Sequence, residues 1–231
     1  TISGDPIIRT GSVGGGSTGA GKGKIGSADI TIEGGDIQAQ FVLAKGTAQG
    51  SINSFTMNGG IIRNSNTDNT AETEYLNIKE EGGAVWLQDG KCEISGGTIE
   101  NCMATEGGAI YIAGTNNPTF TMTGGTIKQC TSQGNGGAVY LEGGTVTLEG
   151  GTISDNLASG GHGGGIYIEE GSFYMPKNGT ATITENSAIF RDSKGGDGGG
   201  LYVTSEEKDV TVELLSGTIT QNTRSEEHTS E

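Results

Sequence analysis

The chain repeats a three-part unit along most of its length, and this repeat constrains the fold more than any other feature. The first part is a glycine pair, a small residue and an aliphatic–aromatic–aliphatic triplet, as in GGAIYI at 107–112. The second part is a short alternating run such as FTMT at 120–123, and the third is GGTI followed by Asn or Cys, as in GGTISDN at 150–156. A unit of about 25 to 37 residues that recurs in this way indicates a solenoid.

Each part alternates with the period of a strand rather than that of a helix. If Ile110 and Ile112 face inward, Ala109 and Tyr111 face outward. The same parity in the last repeat buries Leu201, Val203, Val210 and Val212. The third part contributes one buried isoleucine per turn, at Ile37, Ile62, Ile99, Ile127, Ile153, Ile183 and Ile219.

Three short strands per turn, each stacked on its counterpart about 4.8 Å away, predict an all-β chain. The predicted fold is a right-handed, single-stranded parallel β-helix of about seven coils, because parallel crossovers are nearly always right-handed. The glycine pairs mark corners, where the backbone needs positive φ or close approach. These corners account for the 45 glycines of the chain without invoking disorder.

The β-helix is expected to span residues 28–223 as one domain. Residues 1–27 are Gly-rich and irregular, and they form either a loop segment or a degenerate first coil. Residues 224–231 resemble the translation of a common sequencing-adapter oligonucleotide, so we interpret them as a read-through artefact. Because a solenoid needs caps at its ends, we interpret the chain as a fragment of a longer protein.

The residue three positions after each third-part isoleucine is expected to point inward at a corner. Stacked Asn amides can hydrogen-bond one another and the turn backbone, and Cys is small enough to replace Asn. Cys102 and Cys130 are then neighbours, and we expect buried reduced thiols rather than a disulfide, because ladder side chains point in parallel. Cys92 belongs to a different strand, so no metal site is predicted. This structural ladder comprises Gln40, Ser65, Cys102, Cys130, Asn156, Asn186 and Asn222.

One aromatic ring occupies the same position in five successive turns: Trp86, Tyr111, Tyr140, Tyr167 and Tyr202. If the aliphatic neighbours point inward, these rings form an outward stripe and a candidate ligand-binding surface. The alternative is that the rings stack on one another and shield the strands without any ligand. Insertions at about 65–81 and 187–197 leave one corner of the coil, and we expect them to add to the contact surface.

The repeats resemble a known family of surface proteins. GGAI at 107–110 and its variants look like the GGAI motif of chlamydial polymorphic outer-membrane proteins, and ISDN at 153–156 looks like that family's F-x-x-N with Ile for Phe. The resemblance covers roughly residues 30–222. It implies a bacterial right-handed β-helix passenger with a pectin-lyase-like fold, which is exposed at the surface and often adhesive. It carries no catalytic residues.

Enzymatic β-helices provide the main alternative. Polygalacturonases carry NTD, DD, GHG and RIK in that order, whereas this chain has NTD at Asn66–Asp68 and GHG at Gly161–Gly163 but neither DD nor RIK. His162 aligns with Asn135 of the preceding repeat and is interpreted as a corner substitution. Because the Glu residues of the outward faces look scattered rather than convergent, we predict no catalytic residues and no cofactor.

Charge narrows the class of partner. Lys and Arg total 13 against 28 Asp and Glu, a net charge of −15, which argues against nucleic acid. No apolar run is long enough for a membrane-spanning helix, so no direct membrane insertion is expected. Asp192 and Asp197 form either a loose Ca²⁺ site or a solvated acidic loop.

The sequence therefore predicts a fragment of an extracellular or cell-surface bacterial β-helix protein that acts as an adhesion or stalk module. Its expected partners are host or microbial glycans or surface proteins. The alternative function is polysaccharide binding or degradation by a β-helix of the pectate lyase or polygalacturonase kind.

Overall fold

A computed structural model describes residues 7–10, 28–39, 44–45, 52–64, 81–114, 116–189, 196–204 and 209–224. The insertions predicted at 65–81 and 187–197 lie mostly outside these residues, as does the Gly-rich segment 1–27. The predicted ladder residues Gln40 and Ser65, the candidate Asp192 and residues 225–231 also lie outside them. The described residues form strands joined by turns and bends: β1 (Ile7–Thr10), β2 (Ala28–Ile32), β3 (Asp36–Ala39), β4 (Ala44–Lys45), β5 (Ile52–Met57), β6 (Ile61–Asn64), β7 (Val85–Leu87), β8 (Lys91–Ile94), β9 (Thr98–Glu100), β10 (Met103–Ala104), β11 (Ile110–Ile112), β12 (Thr119–Lys128), β13 (Thr131–Ser132), β14 (Val139–Leu141), β15 (Thr145–Ser154), β16 (Leu157–Ala158), β17 (Ile166–Ile168), β18 (Gly171–Met175), β19 (Thr182–Thr184), β20 (Ser187–Ala188), β21 (Leu201–Val203), β22 (Val210–Leu214), β23 (Thr218–Thr220) and β24 (Thr223–Arg224).

The strands stack in parallel, each on its counterpart in the neighbouring coil, and this confirms the predicted parallel β-helix. One sheet contains β4, β7, β11, β14, β17 and β21, which carry the aliphatic–aromatic–aliphatic triplets. A 13-stranded sheet holds the second and third strands of every coil, and it also includes β1, paired with β3. No helix in the described part of the chain is long and apolar enough to cross a membrane.

Each complete coil has a fourth strand in addition to the three that the sequence predicts. It is two residues long and follows the ladder corner. These short strands form the sheet β10, β13, β16, β20 and β24. The residue before each ladder position adopts the left-handed conformation, for example Asp155 with φ of 56° and Glu185 with φ of 56°. This turn redirects the chain before the short strand begins. The last of these strands includes Arg224, the first residue of the segment interpreted as an artefact.

The apolar core lies between the sheets. Ile37, Ile62, Ile99, Ile127, Ile153 and Ile183 are at most 1% exposed, as predicted. The prediction is wrong for the last described coil, where Val203, Val212 and Ile219 are 38%, 37% and 41% exposed. Strand β23, which carries Ile219, pairs only with β19, so no described coil covers its other side.

The glycine pairs form the corner before each triplet strand. The first glycine adopts positive φ, as at Gly136 with φ of 63°. The second lies against the backbone of the next coil: a Cβ on Gly137 would be 2.0 Å from the carbonyl oxygen of Gly164. The small residue that follows turns inward, because the N–H groups of Ala109 and Ile110 both donate to the carbonyl oxygen of Ala138 at 2.9 Å. Ala109 is therefore buried in the core, and its predicted outward orientation is wrong.

Candidate functional site

The predicted column of rings lies in register on the outside of the triplet sheet. Trp86 pairs with Tyr111, Tyr111 with Tyr140, Tyr140 with Tyr167, and Tyr167 with Tyr202. The aliphatic residues on either side of Trp86, Tyr111, Tyr140 and Tyr167 point into the core, whereas Tyr111 and Tyr140 belong to a separate apolar cluster. Beside Tyr202, Leu201 packs against the core and Val203 is 38% exposed. Tyr111 and Tyr140 are 7% and 8% exposed, and the other three rings are half-buried.

The rings stack on one another. Their centroids are 6.3, 5.0, 4.8 and 5.4 Å apart from Trp86 to Tyr202, with interplanar angles between 3° and 27°. His162 extends the stack, since its ring lies 4.3 Å from that of Tyr202. Because neighbouring rings cover each other's faces, a ligand of the column meets mainly ring edges and hydroxyl groups.

A second column, immediately after each triplet, accepts hydrogen bonds from the tyrosines. The Tyr111 hydroxyl donates to Glu142 Oε2 at 2.9 Å, and the Tyr140 hydroxyl donates to Glu169. Each carboxylate belongs to the coil that follows its tyrosine. Beside Trp86 the corresponding residue is Ala113, which packs in the same apolar cluster, and the indole N–H donates instead to Glu81 Oε2 at 2.9 Å.

A third column lies on the other side of the rings, immediately before each glycine pair. Its side chains accept hydrogen bonds from the backbone of the next coil. Asn135 N–H donates to Glu106 Oε2 at 2.5 Å, His162 N–H to Asn135 Oδ1 at 2.8 Å, and Asp197 N–H to His162 Nδ1 at 3.3 Å. His162 thus occupies the corner position that Asn135 holds one coil earlier. We call the rings and these two flanking columns the ledge; its flanking residues are Glu81, Glu106, Asn135, His162 and Asp197 on one side and Gln88, Ala113, Glu142, Glu169 and Thr204 on the other.

Burial and repulsion between like charges raise the pKa values of several side chains in the ledge. Burial is the main cause that raises the pKa of Glu106 to about 7. Hydrogen bonding by the Asn135 N–H lowers this pKa, and the charges of Glu81 and Glu169 raise it further. Burial also raises the pKa values of Tyr111 and Tyr140 well above their ordinary value. At neutral pH the tyrosines are therefore hydrogen-bond donors and Glu106 is partly protonated.

On this face the Glu residues lie within electrostatic reach of one another and of the tyrosine hydroxyls. Glu106 is close enough to Glu81 and Glu169 for their charges to raise its pKa, and Glu81, Glu142 and Glu169 all act on the hydroxyl of Tyr111. Sequence reasoning missed the flanking columns, although a signal was present. The residue before each glycine pair and the residue after each triplet recur at constant offsets from the rings.

The Asn ladder lies at a different corner of the coil, in the interior of the β-helix. Asn156 Nδ2 donates to Asn186 Oδ1 at 2.8 Å, and Asn186 Nδ2 donates to Asn222 Oδ1 at 2.9 Å. The same amides reach the carbonyl oxygens of Ile127, Ile153 and Ile183 in the preceding coils. At the earlier ladder positions, Cys130 Sγ lies 3.3 Å from the Lys128 carbonyl oxygen and Cys102 Sγ lies 3.5 Å from that of Glu100.

The other candidate residues of the described ranges lie apart from the rings or in an ion pair. Cys92, Cys102 and Cys130 are buried thiols that form no disulfide. The carboxylate of Asp197 lies 3.3 Å from Arg224 Nη1 and 3.5 Å from His162 Nδ1. Within the described ranges, no group of three or more His, Cys, Asp or Glu residues is arranged to hold a metal ion.

Comparison with known proteins gives one result. A family model described as the right-handed beta helix region matches residues 52–225, about three quarters of the chain. No curated protein and no solved structure matches the chain.

Proposed function

We propose that this chain, which belongs to the right-handed β-helix family, acts outside the cell or at a cell surface as an adhesion or stalk module. Proteins of this family occur at cell surfaces and among polysaccharide-active enzymes. The likeness of the GGAI and I-x-x-N repeats to those of surface passengers supports the adhesive alternative. The stacked coils supply a rigid rod, and the ledge supplies its contact surface.

The observation that carries this proposal is the register of the ledge. Five rings follow one line along the axis, and an extended line of like groups suits a long, repetitive partner better than a compact one. Trp86, Tyr167 and Tyr202 are the half-buried members of the stack and therefore the rings best placed for contact. Tyr111 and Tyr140 mainly hold the stack together.

The chemistry of the ledge favours a partner rich in hydrogen-bond donors. Carboxylates accept hydrogen bonds, and Glu142 and Glu169 lie beside the hydroxyl groups of Tyr111 and Tyr140. Sugar hydroxyls supply such donors, and apolar sugar patches can pack on ring edges. A glycan is thus the partner that we propose for this surface.

Polysaccharide degradation is the second candidate, and one observation favours it. Glu106 holds its proton near neutral pH while Glu81 and Glu169 lie within electrostatic reach. A protonated carboxyl beside ionised carboxylates is the combination that glycoside hydrolysis requires. Such groups cluster at functional sites, although structural networks produce them as well.

Glycan-array binding tests the proposal directly. We expect the wild type to bind a set of glycans and a Tyr167→Ser, Tyr202→Ser double variant to bind them about 30-fold more weakly, at about 1 kcal/mol for each ring. Tyr174 lies on an outward position of the other sheet, where it pairs with Thr147 and Glu213. A Tyr174→Ser variant is the matched control and should bind like the wild type.

The outcomes separate the alternatives. If the double variant retains its far-ultraviolet circular dichroism and binds every glycan as the wild type does, the ledge is only structural. If bound glycans gain new reducing ends during incubation with the wild type but not with a Glu106→Gln variant, degradation replaces adhesion as the function.

A further inference from the structure

We propose that Glu106 is a proton switch of the ledge, which changes the charge that the ledge presents to a ligand near neutral pH. This inference rests on the proposed function, because it concerns the regulation of the same surface. The affinity of the ledge for anionic glycans then depends on pH. Such glycans are repelled when Glu106 is ionised and bind more tightly when it is protonated.

The geometry around Glu106 is tight. Its Oε2 accepts the backbone N–H of Asn135 at 2.5 Å. Its Oε1 lies over Gly134, where a Cβ would be only 2.3 Å away. The carboxyl group is therefore packed against the corner of the next coil rather than extended into solvent, and it has little room to move away when its charge changes.

Acids and phenols act on Glu106 or respond to its charge, and the imidazole of His162 lies in the same column, one coil beyond Asn135. The negative charges of Glu81 and Glu169 raise the pKa of Glu106. The charge of Glu106 in turn raises the pKa values of the Tyr140 and Tyr167 hydroxyl groups. None of the ion pairs between described residues gives Glu106 a lysine or arginine partner. Ionisation of Glu106 is thus opposed by burial and by like charge, and it is supported by hydrogen bonds from the backbone and the side chain of Asn135.

The sign of the effect follows from the raised pKa. The folded protein keeps the Glu106 proton up to a pH of about 7, whereas an unfolded chain loses it near the ordinary value of 4.5. Between these values, the folded state binds the extra proton and the ledge is less negative by one charge. Above pH 7, ionised Glu106 adds one negative charge to the ledge beside the rings.

The only tryptophan of the chain is Trp86, which stands in the stack and donates to Glu81. Its fluorescence therefore reports on the ledge without any ligand. Collisional quenching by iodide and by caesium measures the local charge, because the anion is repelled and the cation attracted by the carboxylates. Quenching by neutral acrylamide reports accessibility alone.

We expect the iodide quenching constant of the wild type to rise by roughly 1.5-fold from pH 8 to pH 6 at low ionic strength, and the caesium constant to fall by a similar factor. Acrylamide quenching should stay constant. A Glu106→Gln variant should lose both changes. A Glu93→Gln variant, altered on the other sheet, and a His162→Asn variant, which removes the nearby imidazole, should keep them.

Three results overturn the proposal: quenching constants in the wild type that do not change with pH, changes that persist in Glu106→Gln, or changes that vanish in His162→Asn. If Glu106→Gln does not fold, ¹³C titration of the wild-type glutamate carboxyl groups replaces it; a resonance with a midpoint near pH 7 supports the switch, and its absence refutes it. Because neither measurement uses a glycan, failure of the switch is distinct from failure of binding on the array.

Discussion

Replacing Asn186 with alanine should lower the free energy of unfolding by about 3 to 5 kcal/mol. The Asn186 amide is fully buried, and its Oδ1 accepts both the backbone N–H and the side-chain Nδ2 of Asn156. Its Nδ2 donates to the carbonyl oxygens of Ile153 and Thr184. Alanine removes all of these hydrogen bonds from a fully buried position, which costs more than the loss of hydrogen bonds at an exposed site. Urea unfolding followed by circular dichroism measures the change.

The chain itself offers the control, because cysteine occupies the same position in earlier coils. Cys130 Sγ lies within reach of the Lys128 carbonyl oxygen, which corresponds to Thr184 beside Asn186. An Asn186→Cys variant should therefore lose only about half as much stability as the alanine variant. A loss below about 1 kcal/mol for alanine, or an equal loss for both, would contradict the ladder's energetic role.

Replacing Gly137 with alanine should cost at least about 3 kcal/mol. The added Cβ would lie 2.0 Å from the Gly164 carbonyl oxygen and 2.6 Å from the carbonyl carbon of Leu157. Both obstacles are backbone atoms of the next coil, so the coils must separate to admit the methyl group. The same urea titration measures the loss, and we expect near-ultraviolet circular dichroism from the ring stack to weaken in parallel.

Gly114 provides the matched substitution. A Cβ there meets nothing closer than 3.4 Å, and the residue is exposed. Gly114→Ala should change the free energy of unfolding by less than about 1 kcal/mol. Equal effects at the two glycines would show that coil contact is not what requires glycine at the corner.

Much of this architecture can be predicted from the sequence because each coil repeats the same local rule. The alternation of Ile110 and Ile112 around Tyr111 gave the parity of the triplet strand, and the parity placed the rings outside the core. The spacing from Ile183 to Asn186 likewise gave the ladder position. A single repeat leaves open which side chains face inward, but one register must suit every coil, so the repeats together decide it.

The features that were missed depend on contacts between coils. Ala109 turns inward because two consecutive N–H groups share the Ala138 carbonyl oxygen, and no alternation pattern contains that bond. Short strands such as Thr131–Ser132 have only two residues and show no period. Ile219 is exposed because coverage depends on a neighbouring coil rather than on its own repeat.

Only part of the candidate site could be predicted, because the rest of it also depends on contacts between coils. The ring column follows from one strand position, but the hydrogen bond from Tyr111 to Glu142 spans two coils and needs their register. The raised pKa of Glu106 depends on burial against the corner of the next coil. Sequence offsets can identify the columns, but the contacts between them require the stacked structure.

Carboxyl footprinting tests most directly whether the ledge is the contact surface. The folded protein is labelled with a carbodiimide and a small amine, with and without a glycan selected on the array, and each glutamate is quantified by mass spectrometry. We predict that the glycan protects Glu142 and Glu169 on the ledge at least about threefold and leaves Glu93 and Glu213 on the other sheet unchanged. Protection of Glu93 or Glu213 with unchanged labelling of Glu142 and Glu169 would contradict the proposed contact surface.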